Sequence, residues 1–263
     1  MSIDDTMQPV IEVPHRNGEA GCALSAPTCS LPVYYEDKYV RLYHGSSVES
    51  LPECFAPECV VTDPPYGVGF QYENYKDTPE NFDAVRQLLH HLAAHSTQMA
   101  LMMSMRQLWT MPNPKWMLCW AKPGSCRRSS VGGFSEWEPV LLYGKGWKIS
   151  NDLKILPDCV NHSKDAARGH PCPKPIKLMT WIVSLTKGVV CDPFAGSGTT
   201  LLAAKQLERK AVGWEIEERY CEIIANRLAQ GVLKLTDCDA WNDDERENEK
   251  SEVEKRDYEL RPA

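Results

Sequence analysis

Cys59-Val60-Val61-Thr62-Asp63-Pro64-Pro65-Tyr66-Gly67-Val68-Gly69 is the stretch on which the fold of this chain turns. The short apolar run predicts a strand from Cys59 to Thr62. It ends on a carboxylate, two prolines and an aromatic ring. Each proline lacks an N–H and holds φ at about −65°, so the backbone here is stiff and its carbonyls turn outward. In open α/β sheets the carboxyl ends of the strands form the ligand-binding edge. Such a turn offers a carboxylate, a carbonyl and a flat ring to one planar polar ligand. Asp-Pro and Pro-Pro also mark ordinary strand-ending turns. Alone, the stretch leaves a turn and a site as equal readings.

A second stretch repeats the pattern more strongly. Val189 to Asp192 predicts a strand, Pro193-Phe194-Ala195-Gly196-Ser197-Gly198 a tight turn, and Thr199 to Leu207 a helix. Small residues let a ligand approach the backbone, and the helix opening at Thr199-Thr200 presents free N–H groups. No lysine follows the second glycine, which argues against a phosphate loop. The next strand, Lys210 to Trp214, ends in Glu215 and Ile216. An acid at the end of a second strand can accept both hydroxyls of a ribose. Together these features favour an adenosine-containing cofactor over the bland alternative, a helix cap at Asp192 and a solvated Glu215.

Composition sets the frame. The 263 residues fit one large domain or two small ones. Residues 1–37 are rich in Pro, Ser and Gly and read as a flexible arm. The net charge is −7, but residues 236–263 hold eleven acidic against five basic side chains. They read as an acidic tail, and the nearly neutral body remains compatible with DNA. Eleven cysteines without a Cys-x-x-Cys pair read as reduced thiols rather than a disulfide frame. Cys159, His162, His170 and Cys172 have no familiar zinc spacing, so no metal is expected. No apolar stretch is long enough to span a bilayer. The acidic first residues argue against a secretory signal, and the expected location is cytoplasmic, associated with the nucleoid.

The remaining pattern alternates strands and helices. Strands are predicted at Tyr39 to Tyr43, Gln98 to Ser104, Lys115 to Trp120 and Glu138 to Tyr143. Helices are predicted at Ser46 to Cys54, Asn81 to Ser96, Pro175 to Thr186 and Glu218 to Leu228, with Gly231 as a C-cap. Residues 67–79 read as a loop with Phe70, Tyr72 and Tyr75 exposed. Trp147 to Arg168 shows no clear element. His90, His91 and His95 read as satisfied polar groups rather than ligands.

The two anchors resemble those of the S-adenosylmethionine-dependent amino-methyltransferases of DNA (the N6-adenine and N4-cytosine family). In that family an Asp/Asn/Ser-Pro-Pro-Tyr motif is catalytic and a Phe-x-Gly-x-Gly loop holds the cofactor. The catalytic motif comes first here, as in the circularly permuted β group. His170-Pro171-Cys172-Pro173-Lys174-Pro175 is similar to a further cofactor-side segment. Trp120-x-Lys122 and Glu138 to Tyr143 resemble the middle strands. The likeness covers about residues 38 to 232.

The resemblance implies a three-layer α/β Rossmann-like sheet, circularly permuted, with a short target-recognition insertion and disordered termini. A methyltransferase domain would occupy 38–235, divided into a catalytic half (38–146), a recognition segment (147–168) and a cofactor half (169–235). The strand before Gly45 would take third place in the usual sheet, with the fourth to seventh following. The strands before Asp192 and Glu215 would take first and second. It also implies methyl transfer from S-adenosylmethionine to adenine N6, with cytosine N4 and a silent DNA-binding relative as alternatives. Asp63, Pro64, Pro65 and Tyr66 would be catalytic. Lys174, Pro175, Asp192 to Thr200, Glu215 and Ile216 would face the cofactor, with Phe194 or Trp214 against its adenine. Arg127 and Arg128 would contact double-stranded DNA whose target base is flipped out, and a second copy of the chain is a candidate partner. Ser46 departs from the Asp common in the family after that glycine, which puts one adenine contact in question.

Overall fold

The computed structural model describes residues 30–52, 54–70, 72–121, 137–149, 153–155 and 174–230, of which 153–155 as backbone only. Among the described residues nine strands form one sheet: β1 (Val33–Glu36), β2 (Val40–His44), β3 (Cys59–Thr62), β4 (Gln98–Met102), β5 (Trp116–Ala121), β6 (Trp137–Gly144), β7 (Leu153–Ile155), β8 (Val190–Asp192) and β9 (Ala211–Glu215). Their spatial order is β1-β2-β9-β8-β3-β4-β6-β5-β7. The five from β2 to β4 are mutually parallel. They stand as third, second, first, fourth and fifth, as the permuted reading expects. β6 runs antiparallel to both β4 and β5.

The central strands are buried on both faces, which is why they read as unbroken apolar runs. Alternate residues serve opposite layers. Val61 and Ala100 join one core with Leu178 and Ile182 of α3 (Ile176–Ser184), Leu201 of α4 (Thr199–Gln206) and Ile224 of α5 (Glu218–Ala229). Val60, Met99 and Leu101 join the other with Phe82, Val85, Leu89 and Leu92 of α2 (Pro79–His95). The spacing of those four, with Thr78 capping Asn81 N–H and Pro79 in the first turn, accounts for that helix. A short α1 (Ser47–Ser50) begins at the cap Ser46. His90 and His91 each reach a backbone carbonyl, of Thr110 and Phe55, both at 2.8 Å.

Three expectations change. Val33–Glu36 pairs antiparallel with β2 as an edge strand, so the sheet begins inside the stretch assigned to the arm. β7 lies within the segment thought to lack an element and pairs parallel with β5. Tyr72 and Tyr75 are half-buried rather than exposed, because the loop that carries them folds back onto the cavity. Arg127, Arg128, the Cys159/His162/His170/Cys172 set, Gly231 and both terminal segments (1–29 and 231–263) lie outside the described residues. Among the described residues no helix is long and apolar enough to cross a membrane, and no group of three metal-binding side chains occurs.

Candidate active site

β3 and β8 are parallel neighbours, so Asp63 and Asp192 leave the sheet side by side at its carboxyl edge. Thr62 Oγ1 donates to Asp192 Oδ1 at 2.7 Å. β9 lies beyond β8 and delivers Glu215 to the same edge. The Gly-rich turn is shaped by its own polar contacts. Phe194 N–H donates to Asp192 Oδ1 at 3.2 Å, Ala195 N–H to the Trp214 carbonyl at 2.8 Å, and Gly196 N–H to Glu215 Oε2 at 2.7 Å. Gly198 caps α4 with φ of 76°, and a Cβ there would lie 2.7 Å from Ile224. Only glycine fits that position.

These strand ends open into a cavity of about 260 Å³. Asp63, Pro64, Pro65 and Tyr66 line one side. Pro193 to Ser197, Thr199, Thr200, Glu215 and Ile216 line the other, together with Asp192. Pro175 and Gly198 are not in its wall; they cap α3 and α4. Trp214 is fully buried and stacks on Tyr43 with centroids 5.4 Å apart, so it belongs to the core while its edge reaches the cavity. Phe194 is the more accessible ring. Ser46 lines the cavity as well.

Lys174 reaches the cavity, and its ammonium lies on Asp63. Nζ is 2.5 Å from Asp63 Oδ2 and 3.9 Å from Glu138 Oε2. The Tyr66 hydroxyl donates to the other oxygen, Asp63 Oδ1. Asp63 is thereby oriented from two directions. Burial pushes the Asp192 carboxyl up to about 6, against the hydrogen bonds from Thr62 and Thr200 that favour its charged form. Burial pushes Glu215 up to about 7, opposed by the N–H groups of Glu217 and Gly196. Among the described residues of the cavity wall, Lys174 is the one cation, against Asp63, Asp77, Glu138, Asp192 and Glu215. Such a pocket suits a ligand that carries positive charge and hydroxyl donors.

Sequence patterns missed Asp77 and Glu217, both buried and both holding the loop after Tyr66. Each stands just before a helix, where an acid reads as a routine end-of-helix residue. An acid two residues before Pro79 and a second acid two residues after Glu215 are the only local signals.

The family model described as a DNA methylase, for the N6/N4 amino-methyltransferases, matches residues 106–226. The type II methyltransferase HindIII of Haemophilus influenzae is 47% identical over 145 residues, which are 39% of this chain and 47% of that enzyme. The match therefore spans about half of that relative's length. The SAM complex of M1.HpyAVI superposes with a TM-score of 0.56 at 25% identity, covering 72% of this chain and 98% of that one. The cytosine-N4-specific PvuII DNA methyltransferase has the same fold, with a TM-score of 0.58 at 19% identity over 76% of this chain and 90% of that one.

Proposed function

We propose that the chain is an amino-methyltransferase of DNA, of the permuted β group, and that it methylates the exocyclic N6 of adenine in DNA. S-adenosylmethionine is the cofactor. The observation that carries the reading is that Asp63 and Glu215, from adjacent halves of a permuted sheet, open into one cavity.

The residues present fit that cofactor. Glu215 is buried with its oxygens fixed by Gly196 and Glu217, a suitable acceptor for ribose hydroxyls. The acidic wall suits a sulfonium, and Phe194 offers a flat apolar face. When bound, the cofactor supplies an electrophilic methyl group.

The chain's own residues do the rest. Asp63 and the Pro64 carbonyl accept the two amine hydrogens of the target base. This holds the nitrogen towards tetrahedral geometry and aims its lone pair. The carboxylate also stabilises the positive charge that develops on nitrogen. Lys174 and the Tyr66 hydroxyl keep that carboxylate aligned, and alignment supplies much of the rate. The Tyr66 ring is placed to stack on a base that has left the helix stack. Arg127 and Arg128 are assigned to the DNA backbone, which positions without specifying sequence.

Digestion of treated, initially unmethylated DNA to nucleosides, followed by mass analysis, tests the reading. N6-methyladenine is the expected product. N4-methylcytosine would move the assignment to the smaller ring. Cofactor binding with no methylated nucleoside would leave a silent relative.

A further inference from the structure

The loop between the catalytic turn and α2 is held by two buried acids. Asp77 is 2% exposed. Its carboxylate accepts the N–H groups of Gly67 at 2.6 Å and of Val68 and Phe70 at 3.0 Å each. Its carbonyl accepts Gly69 N–H at 2.7 Å. The four amides that follow Tyr66 therefore wrap one residue. Gly67 has φ of 67°, and a Cβ there would lie 2.8 Å from Phe82, so the wrap requires glycine at its start.

Glu217 is 1% exposed and stands at the cap position of α5, yet its side chain makes no capping bond. It turns to the loop instead. Its carboxylate accepts Asn74 N–H at 2.6 Å and Asn74 Nδ2 at 2.9 Å, across 143 residues of sequence. Beside this contact, Arg219 Nη1 meets Glu73 Oε1 at 2.9 Å. Meanwhile the backbone N–H of Glu217 donates to Glu215 Oε1 at 2.8 Å. One residue thus touches the cofactor-side acid through its backbone and the catalytic-side loop through its carboxylate. A buried carboxylate must have its hydrogen bonds met. Here the loop meets them, not the helix. The loop in turn carries Phe70, Tyr72 and Tyr75, whose ring centroids follow at 4.8 and 5.9 Å and which all line the cavity.

We propose that Asn74 and Glu217 form a latch that sets the described loop residues 67–70 and 72–77, with their aromatic rim, against Asp63 and Tyr66. Both are positioning residues for methyl transfer, acting through the loop. The inference rests on the function proposed above.

Asn74→Asp sets carboxylate against carboxylate, and pairing it with Glu217→Gln restores a carboxylate–amide contact with the donor reversed. The single variant is expected to lose about 10- to 100-fold in kcat on unmethylated DNA, because small misplacements near the reacting atoms are felt at that size. Its cofactor Kd stays within about threefold of the wild type, and the double variant recovers kcat to within about threefold, as expected of a transition-state rather than a binding defect. Amide exchange over residues 67–77 quickens in the single variant and slows again in the double. An unchanged kcat in Asn74→Asp, or a double variant as slow as the single, overturns the latch. Should the wild type itself transfer no methyl group, the function reading fails, and unchanged amide exchange in Asn74→Asp still overturns the latch. Should Asn74→Asp not fold, Asn74→Ala at this exposed position removes one of the two bonds, and an intermediate loss of kcat is then expected; none overturns the latch.

Discussion

Asp63 sits between an ammonium and a phenol, and this decides what its loss does. Asp63→Ala removes the proposed acceptor for the amine while leaving the walls around Glu215 in place. Transfer is expected to fall by on the order of 10³-fold, the size of losing one preorganised electrostatic contact or more. Cofactor affinity measured by calorimetry stays close to wild type, and its loss would reassign the carboxylate to the cofactor. Glu215 carries a prediction for pH. Its folded value is raised from 4.5 to about 7 by burial, so the folded state binds its proton more tightly than the unfolded state. Stability from this group is therefore full below about pH 4.5 and is lost as pH rises through about 7. Asp192 acts in the same direction over a lower window, from 3.8 to about 6. Thermal melts of the cofactor-free protein are expected to show Tm falling across this range. Glu215→Gln, which cannot titrate, should flatten the upper part of that fall. An equal slope in the variant would assign the effect elsewhere.

The helices and turns that carry these residues follow from local chemistry. Phe82, Val85, Leu89 and Leu92 recur at helical spacing and all face the core. The turn from β8 into α4 depends on Gly198, whose left-handed backbone and contact with Ile224 exclude a side chain. Gly198→Ala is expected to lower stability by about 1–3 kcal/mol, from backbone strain and overpacking combined. Urea denaturation measures this, and cofactor affinity should fall with it, because the same turn presents Gly196 to Glu215. Loop 67–77 is the element that reads least well. Phe70 is exposed as expected, but Tyr72 and Tyr75 look exposed only because nothing local records that Asp77 and Glu217 pull the segment inward.

The permuted topology makes a prediction for the molecule as a unit. β3, which ends in the Asp63 turn, comes long before β8 and its Gly-rich turn in the chain, yet the two are neighbours in the sheet. Asp37 beside β2 and the Leu228 carbonyl in α5 are both held by Lys205 Nζ, at 2.5 and 2.6 Å. The two ends of the described domain therefore lie within reach of one side chain. A chain begun at residue 169 and ended at 168, with residues 230 and 30 joined by a short Gly/Ser linker, should fold and bind the cofactor with near wild-type affinity. Such closures are tolerated where ends lie close together at the surface. Circular dichroism and calorimetry check this. A permuted chain that does not fold would show that the domain does not tolerate a break between the two halves.

Sequence alone determined the strand–turn–helix units, the two anchors and their order; the arrangement of the central sheet followed only from the resemblance those anchors carry. These are local matters: apolar period, proline and glycine at turns, an acid at a strand end. Tertiary structure alone decided that Lys174 lies on Asp63, 111 residues away, that Glu217 serves the loop rather than its own helix, and that Asp77 organises the backbone after Tyr66. The reason is physical. An acid near a helix start has the same local signature whether it faces water or the core, and only the packing of distant segments removes it from solvent and chooses its partner.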